Sequence, residues 1–125
     1  MTTLMTTVAY TDTGATVVDS INANFGNRVH PDYRTVTTTP ITATVDDHLI
    51  LADATAGAIT INLVAVSSAA GKTLTVVKTD ASGNAVTLDG NASETINGAT
   101  THALAAQYNR VRIFCNGTAW IILHA

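Results

Sequence analysis

The chain has 125 residues, of which 46% are hydrophobic, so it can bury the core of one domain, and this composition argues against wholesale disorder. Only 12% of the residues are charged and the net charge is −3, which argues against nucleic acid or an acidic membrane as a partner. Threonine, alanine and asparagine take the place of charged residues. Such a weakly charged surface favours stable contact with neighbouring chains over existence as a soluble monomer.

The start of the chain lacks the features of a targeting signal. Residues 1–5 have neither the basic start nor the apolar run of a secretory signal peptide, and no later run approaches the length of a membrane span. The single cysteine, Cys115, cannot form an intrachain disulfide. These features predict synthesis and assembly in the cytoplasm.

Residues 1–34 are predicted to form an extended arm, one short helix and a linker. Residues 1–13 show no sustained periodicity, and Pro31 favours extended geometry in the linker. Residues 15–25 carry a narrow apolar stripe at helical spacing, formed by Val17, Val18, Ile21 and Phe25. A helix this short is marginal by itself, so the stripe needs a partner, either the β domain or another protein.

Residues 35–125 are predicted to form one all-β domain. In residues 46–63, Leu49 and Leu51 alternate with Ile50 and Ala52 in a first stretch, and apolar residues alternate with Thr60 and Asn62 in a second. The two stretches flank a small-residue segment at 54–57, which predicts two strands joined by a turn. Further strands are predicted at 41–45, 73–79, 85–88, 108–115 and 120–124. The last two flank Asn116-Gly117, a strong hairpin signal. We therefore expect an antiparallel β-sandwich or a small barrel.

A weak internal repeat connects two parts of this domain. The sequence DAT followed by AITI, from Asp53, matches DAS followed by AVTL, from Asp80, at an offset of 27 residues. A solenoid needs about three or more repeats to be stable, and only two copies are visible. We therefore interpret the repeat as two similar hairpins within one sandwich or barrel.

The final predicted hairpin is apolar on both faces. One face can close the core and consists of Val111, Ile113, Cys115, Trp120 and Ile122. The other face consists of Arg110, Arg112, Phe114, Ile121 and Leu123. This second face is too apolar for open water, so the pattern predicts an oligomer interface between copies of the chain.

The residues with catalytic or metal-binding potential have simpler structural interpretations. The segment DDH at 46–48 could offer ligands to a cation, but a polar start of a strand explains it as well. Asp80, Asp89 and Glu94 could be imagined as glycosidase carboxylates, yet all three lie in or beside predicted turns. The sequence contains no GxSxG, P-loop, GxGxxG or zinc-ligand spacing. We expect no catalytic residue, no cofactor and no metal.

Two aromatic residues leave a glycan-binding alternative open. Tyr108 and Trp120 could together form a platform on which a sugar stacks. Because Trp120 shares the parity of Ile113 and Ile122, core packing is the favoured interpretation of its ring.

Two parts of the chain resemble bacteriophage virion proteins. The runs DDHLILADATAGAITINL, AAGKTLTVVKTDASGNAVTLDG, SETINGA and NGTAW, within residues 45–123, resemble a β domain of tail fibres, baseplate appendages, head fibres and capsid decoration proteins. The run VDSINANF at residues 18–25 resembles the IN-A-NF segment near the N-terminus of many phage structural proteins, where it belongs to a particle-attachment region. Members of this group are commonly trimers.

The resemblance implies a non-enzymatic virion structural protein, either a capsid decoration (cement) protein or a head-fibre protein. It would form a homotrimer and dock on phage capsid or tail proteins through residues 1–34, by strand addition or by its apolar stripe. Its location would be the virion, after synthesis in the cytoplasm of the host bacterium, with no nucleic acid or membrane as partner. The alternative is a tail-fibre or appendage module that binds host polysaccharide through Tyr108 or Trp120.

Overall fold

The computed structural model describes residues 33–125. The first strand begins at Tyr33, two residues before the predicted start of the β domain. The predicted arm and helix lie outside the described residues. So does the whole apolar stripe, formed by Val17, Val18, Ile21 and Phe25.

The described part contains nine strands and one helical turn. The strands are β1 (Tyr33–Val36), β2 (Ile41–Thr42), β3 (Leu49–Ala52), β4 (Ile59–Asn62), β5 (Thr73–Lys78), β6 (Val86–Asp89), β7 (Thr101–Leu104), β8 (Arg110–Cys115) and β9 (Trp120–His124). The helical turn α1 spans Val66–Ala69. Neither β7 nor α1 was predicted from the sequence, because β7 buries only Leu104 and α1 is a single turn. Within residues 33–125, no helix is both long and apolar enough to cross a membrane.

The strands form two sheets that share one hydrophobic core. The five-stranded sheet has the order β1-β3-β5-β8-β9, and the four-stranded sheet has the order β2-β4-β6-β7. Buried and more exposed residues alternate along β3, β4, β5 and β6, so each sheet turns one face to the core. The all-β prediction is confirmed, with two separate sheets and no closed barrel.

Parallel pairing of the first six strands corrects the expected antiparallel hairpin at residues 46–63. Strands β3 and β4 belong to different sheets: β3 pairs in parallel with β1 and β5, and β4 pairs in parallel with β2 and β6. Among the nine strands, antiparallel pairs are formed by β5 with β8, β8 with β9, and β6 with β7, so the final hairpin is confirmed. Two consecutive strands bury alternate residues whether they pair in a hairpin or belong to different sheets. The sequence pattern therefore could not distinguish these two arrangements.

The 27-residue repeat corresponds to the number of residues between neighbouring parallel strands of one sheet. Ile59 pairs with Val86 at the 27-residue offset of the repeat, and each copy supplies one strand to each sheet. Strands β1 and β2 form a third copy stacked on the first. The interpretation as a reused hairpin is therefore wrong. The third copy is hidden in the sequence because Tyr33 pairs with Leu49, at a much shorter spacing.

Trp120 joins the two sheets at one end of the core. It is 1% exposed and is the largest fully buried side chain of the described residues. Its main chain also binds the segment between β6 and β7, because its N–H donates to the Thr95 carbonyl and its carbonyl accepts from the Asn97 N–H, both at 2.9 Å. The prediction that this ring packs in the core is confirmed.

Candidate functional site

The outward surface of the five-stranded sheet carries the predicted interface residues. On β8, Arg110, Arg112 and Phe114 alternate with three buried residues. On β9, Ile121 is 38% exposed and Leu123 is 53% exposed, and Ile121 pairs directly with Phe114. The sheet therefore brings Arg110, Arg112, Phe114 and Ile121 to the side opposite the core. Leu123 is exposed at a register shift between β8 and β9, where His124 pairs with Arg112 and Leu123 has no partner in the ladder.

Apolar residues extend this surface across the neighbouring strands. Leu49 and Leu51 of β3 and Val77 of β5 alternate with buried residues and are only partly buried themselves. Val77 pairs with Leu51 on one side and with Arg110 on the other. We call the surface made by these residues and the five predicted residues the outer face. Threonines and the two arginines lie between its apolar residues. Exposed apolar residues on one sheet face are typical of a contact surface.

The two arginines of the outer face have no ionic partner within residues 33–125. The ion pairs there join Arg34 to Asp47 at 3.2 Å and Lys78 to Asp80 at 2.7 Å. Arg110 and Arg112 are both exposed on β8. Their charges are therefore available to an acidic group of a ligand or partner.

A groove of about 310 Å³ lies beside Arg110 and is also lined by His102, Tyr108 and Asn109. Tyr108 is 66% exposed, as a glycan contact must be. The second predicted glycan contact, Trp120, is only 1% exposed, so its ring cannot stack on a sugar. The structure therefore corrects the two-ring platform, because one of its two rings is in the core.

Hydrogen bonds to neighbouring main chain hold the loop that carries Tyr108. The Tyr108 N–H donates to the Lys78 carbonyl at 2.7 Å. The Asn109 side-chain oxygen accepts from the N–H groups of Ala105 and Ala106 at 3.2 and 3.0 Å. Tyr108 itself has a φ of 66°, in the left-handed region that few bulky residues adopt. The loop fixes the main chain on which the exposed ring is mounted.

The segment at 46–48 is explained by local structure. The Asp47 carboxylate accepts from the Thr44 N–H at 2.8 Å and pairs with Arg34. No group of three metal-binding side chains occurs among residues 33–125. His48 instead lines an open groove of about 470 Å³ together with Lys72, whose pKa is lowered by burial despite the opposing charges of the nearby aspartates.

The predicted carboxylates serve different parts of the fold. A Glu94 side-chain oxygen accepts from the Val66 N–H at 3.0 Å, at the start of α1. Asp89 ends strand β6, where it pairs with Thr101. Asp80 forms an ion pair with Lys78. Glu94 and Asp80 are therefore engaged by structural partners.

Sequence reasoning missed a buried ion pair between Lys78 and Asp80. Lys78 is 0% exposed, and its ammonium nitrogen lies 2.7 Å from the Asp80 carboxylate. That carboxylate also accepts from the N–H groups of Ala54 and Ser82, at 2.7 and 3.0 Å, and from the Ser82 hydroxyl. Lys78 has the same parity as the buried Leu74 of β5. This parity is the sequence feature from which the burial of Lys78 could have been predicted.

This ion pair also ties two stacked copies of the repeat together. Asp80 follows β5, whereas Ala54, whose N–H it binds, follows β3 in the preceding copy. Burial raises the pKa of the Asp80 carboxyl, but hydrogen bonds from Lys78, Ser82 and Ala54 outweigh that effect and hold the pKa well below its usual range. Asp80 is therefore a charged structural group at neutral pH.

No protein-family model matches this chain, and comparison with curated proteins gives no match either. The functional interpretation therefore depends on the outer face, on the groove beside Tyr108 and on the residues of the sequence itself.

Proposed function

We propose that this chain is a non-enzymatic bacteriophage virion structural protein, either a capsid decoration (cement) protein or a head-fibre protein. The observation that carries this proposal is the outer face, where Ile121 and Leu123 stay exposed and Ile121 pairs with Phe114 of β8. A β domain with such a face and few charges is suited to permanent contact with other subunits. The resemblance of residues 18–25 to attachment segments assigns docking to the N-terminal region.

The outer face is the proposed contact between three copies of the chain. Wild-type protein is expected to scatter light as about three protomer masses, in a closed symmetric assembly. Replacing Ile121 and Leu123 together by lysine should yield a folded monomer, because both positions are exposed in the single chain and two charges would be buried in the assembly.

The matched control for this prediction is the double change of Thr101 and Ala103 to lysine. Both residues are exposed on β7, an edge strand of the other sheet. This variant should keep the oligomeric mass of the wild type. A wild-type monomer at micromolar concentration, or an oligomer that persists after the changes on the outer face, would contradict the proposed contact.

Docking on the particle is tested by the double change Ile21→Asp and Phe25→Asp in the full-length chain. Both residues belong to the predicted apolar stripe, and an unpaired charge is strongly disfavoured in an apolar groove. Purified variants would be added to particles that lack the protein, and the bound fraction would be measured by sedimentation. We expect the double variant to remain unbound.

The control for docking is Ala23→Asp, which adds a charge to the same segment on the side of the predicted helix away from the stripe. This variant should bind particles like the wild type. If the double variant fills the particle sites fully, the stripe does not mediate docking and the N-terminal assignment is wrong.

A second candidate function is that of a tail-fibre or appendage module that recognises host polysaccharide. Tyr108 favours it, because its ring is 66% exposed beside a groove. The burial of Trp120 removes the other predicted contact. A labelled image of the particle would separate the two candidates, since a decoration protein covers the capsid and an appendage protein labels the tail.

A further inference from the structure

We propose that the groove lined by His48 and Lys72 binds the phosphate group of a soluble phosphomonoester. The groove has a volume of about 470 Å³. The Lys72 ammonium would be its main cation, and the His48 imidazole and the Ser68 hydroxyl would be further hydrogen-bond donors. This binding site goes beyond the structural role proposed above and does not depend on it.

The first argument is that two neighbouring strands bring two basic side chains to one groove. His48 comes directly before β3 and Lys72 directly before β5, and these strands pair in parallel. Main-chain hydrogen bonds hold both residues. The Thr75 N–H donates to the His48 carbonyl at 3.0 Å, and the Cys115 N–H donates to the Lys72 carbonyl at 2.8 Å. The basic side chains are therefore mounted on fixed main chain before a ligand arrives.

Both residues belong to the side of the sheet away from the outer face. His48 has the parity of the buried Ile50 on β3, and Lys72 has the parity of the buried Leu74 on β5. The outer-face residues of the same strands have the opposite parity. A contact between copies through the outer face therefore does not use the two basic side chains.

The second argument is that the charge of Lys72 is not balanced within residues 33–125. No ion pair or side-chain hydrogen bond joins His48 or Lys72 to another residue of this range. Asp46 and Asp47 act to raise the pKa of Lys72, but neither lines the groove, and Asp47 already pairs with Arg34 at 3.2 Å. Burial outweighs both aspartates and lowers the pKa of Lys72, so a negatively charged ligand would stabilise its ammonium form.

The third argument is the match between these groups and a phosphate. A lysine ammonium is a compact charge that commonly binds phosphate, and no aspartate or glutamate side chain lines the groove. A phosphomonoester carries a charge of about −1.5 to −2 at neutral pH and three acceptor oxygens. It can therefore engage the ammonium, the imidazole and the hydroxyl together, and it carries more charge than a carboxylate.

The experiment is titration calorimetry of the full-length protein with glycerol phosphate, with glycerol and glycerate as the neutral and carboxylated counterparts. The expected result is binding of glycerol phosphate, weaker binding of glycerate and none of glycerol. Lys72→Gln should weaken the affinity for glycerol phosphate by about tenfold or more, because a charged hydrogen-bond donor is lost. Absence of binding at millimolar glycerol phosphate, or equal binding of glycerol, would overturn the proposal.

Two variants test whether the attraction is local to the groove. Arg112→Gln removes the same charge as Lys72→Gln, but from the outer face and outside the groove, so it should leave the affinity unchanged. Asp46→Asn removes a negative charge near Lys72 and should strengthen binding. If Arg112→Gln weakens binding as much as Lys72→Gln, or if Asp46→Asn weakens it, the site is assigned wrongly.

Two further measurements separate loss of binding from loss of folding and identify the source of the phosphate. His48 is exposed, so His48→Gln should keep the wild-type melting temperature and still weaken the affinity. Wild-type affinity in this variant would contradict the site. Vesicles that contain phosphatidic acid present the same phosphate group on a lipid surface. Sedimentation of the protein with these vesicles, without binding of glycerol phosphate in solution, would overturn the assignment to a soluble ligand.

Discussion

Replacement of Trp120 by alanine is expected to lower the free energy of unfolding by about 3–5 kcal/mol. The side chain is 1% exposed and lies where β9 meets the segment between β6 and β7. Its removal leaves a cavity between the two sheets, which the hydrogen-bonded main chain on both sides cannot close by collapse. The large volume of the lost ring makes this the most damaging single truncation of the core.

The change is best measured by urea denaturation followed by circular dichroism, since the chain has one tryptophan and the variant loses its fluorescence. Trp120→Phe serves as the matched control, because it keeps an aromatic ring in the core and should cost less. If Trp120→Ala unfolded at the same urea concentration as the wild type, the ring would not be part of the core and a surface role would have to be reconsidered.

The change Asp80→Asn is expected to lower the melting temperature strongly at neutral pH. It removes the negative charge beside the fully buried Lys78 ammonium, which then has no ionic partner. It also weakens the link from Asp80 to the Ala54 N–H, between two stacked copies of the repeat. The matched control is Asp53→Asn, the equivalent residue one copy earlier, whose carboxylate binds only Thr55 and should contribute much less.

The ion pair of Lys78 with Asp80 also predicts that the stability of the fold decreases at acid pH. Because the folded-state pKa of Asp80 lies below its unfolded value, its contribution is fully present above about pH 4 and is lost as the pH falls towards the folded pKa. Melting curves recorded from neutral pH downward should therefore show the wild type approaching Asp80→Asn in this acid range. A constant difference between the two proteins at every pH would mean that the ionised carboxylate is not the source of the stability.

The sequence alone was sufficient to predict which side chains of a strand point into the core. The alternation in β8 assigned Val111 and Ile113 to the core and Arg110 and Arg112 to the opposite side, as the structure has them. The parity of Trp120 likewise predicted its burial. These assignments succeed because the side-chain direction in a strand alternates with a period of two, whatever the strand pairs with.

Only the tertiary structure decided which strands pair and which distant residues meet. Alternate burial along β3 and β4 is the same in a hairpin and in two sheets. The parallel stacking with β5 and β6 therefore depended on hydrogen bonds between residues far apart in the chain. That stacking brings Asp80 to the Ala54 N–H, and the β7–β8 loop brings Tyr108 to a groove with Arg110. A local sequence pattern indicates which residues are buried but not which residues they contact. For that reason the fold class was predictable and Tyr108 could be singled out, but the groove around Tyr108 and the ion pair of Lys78 with Asp80 could not be predicted.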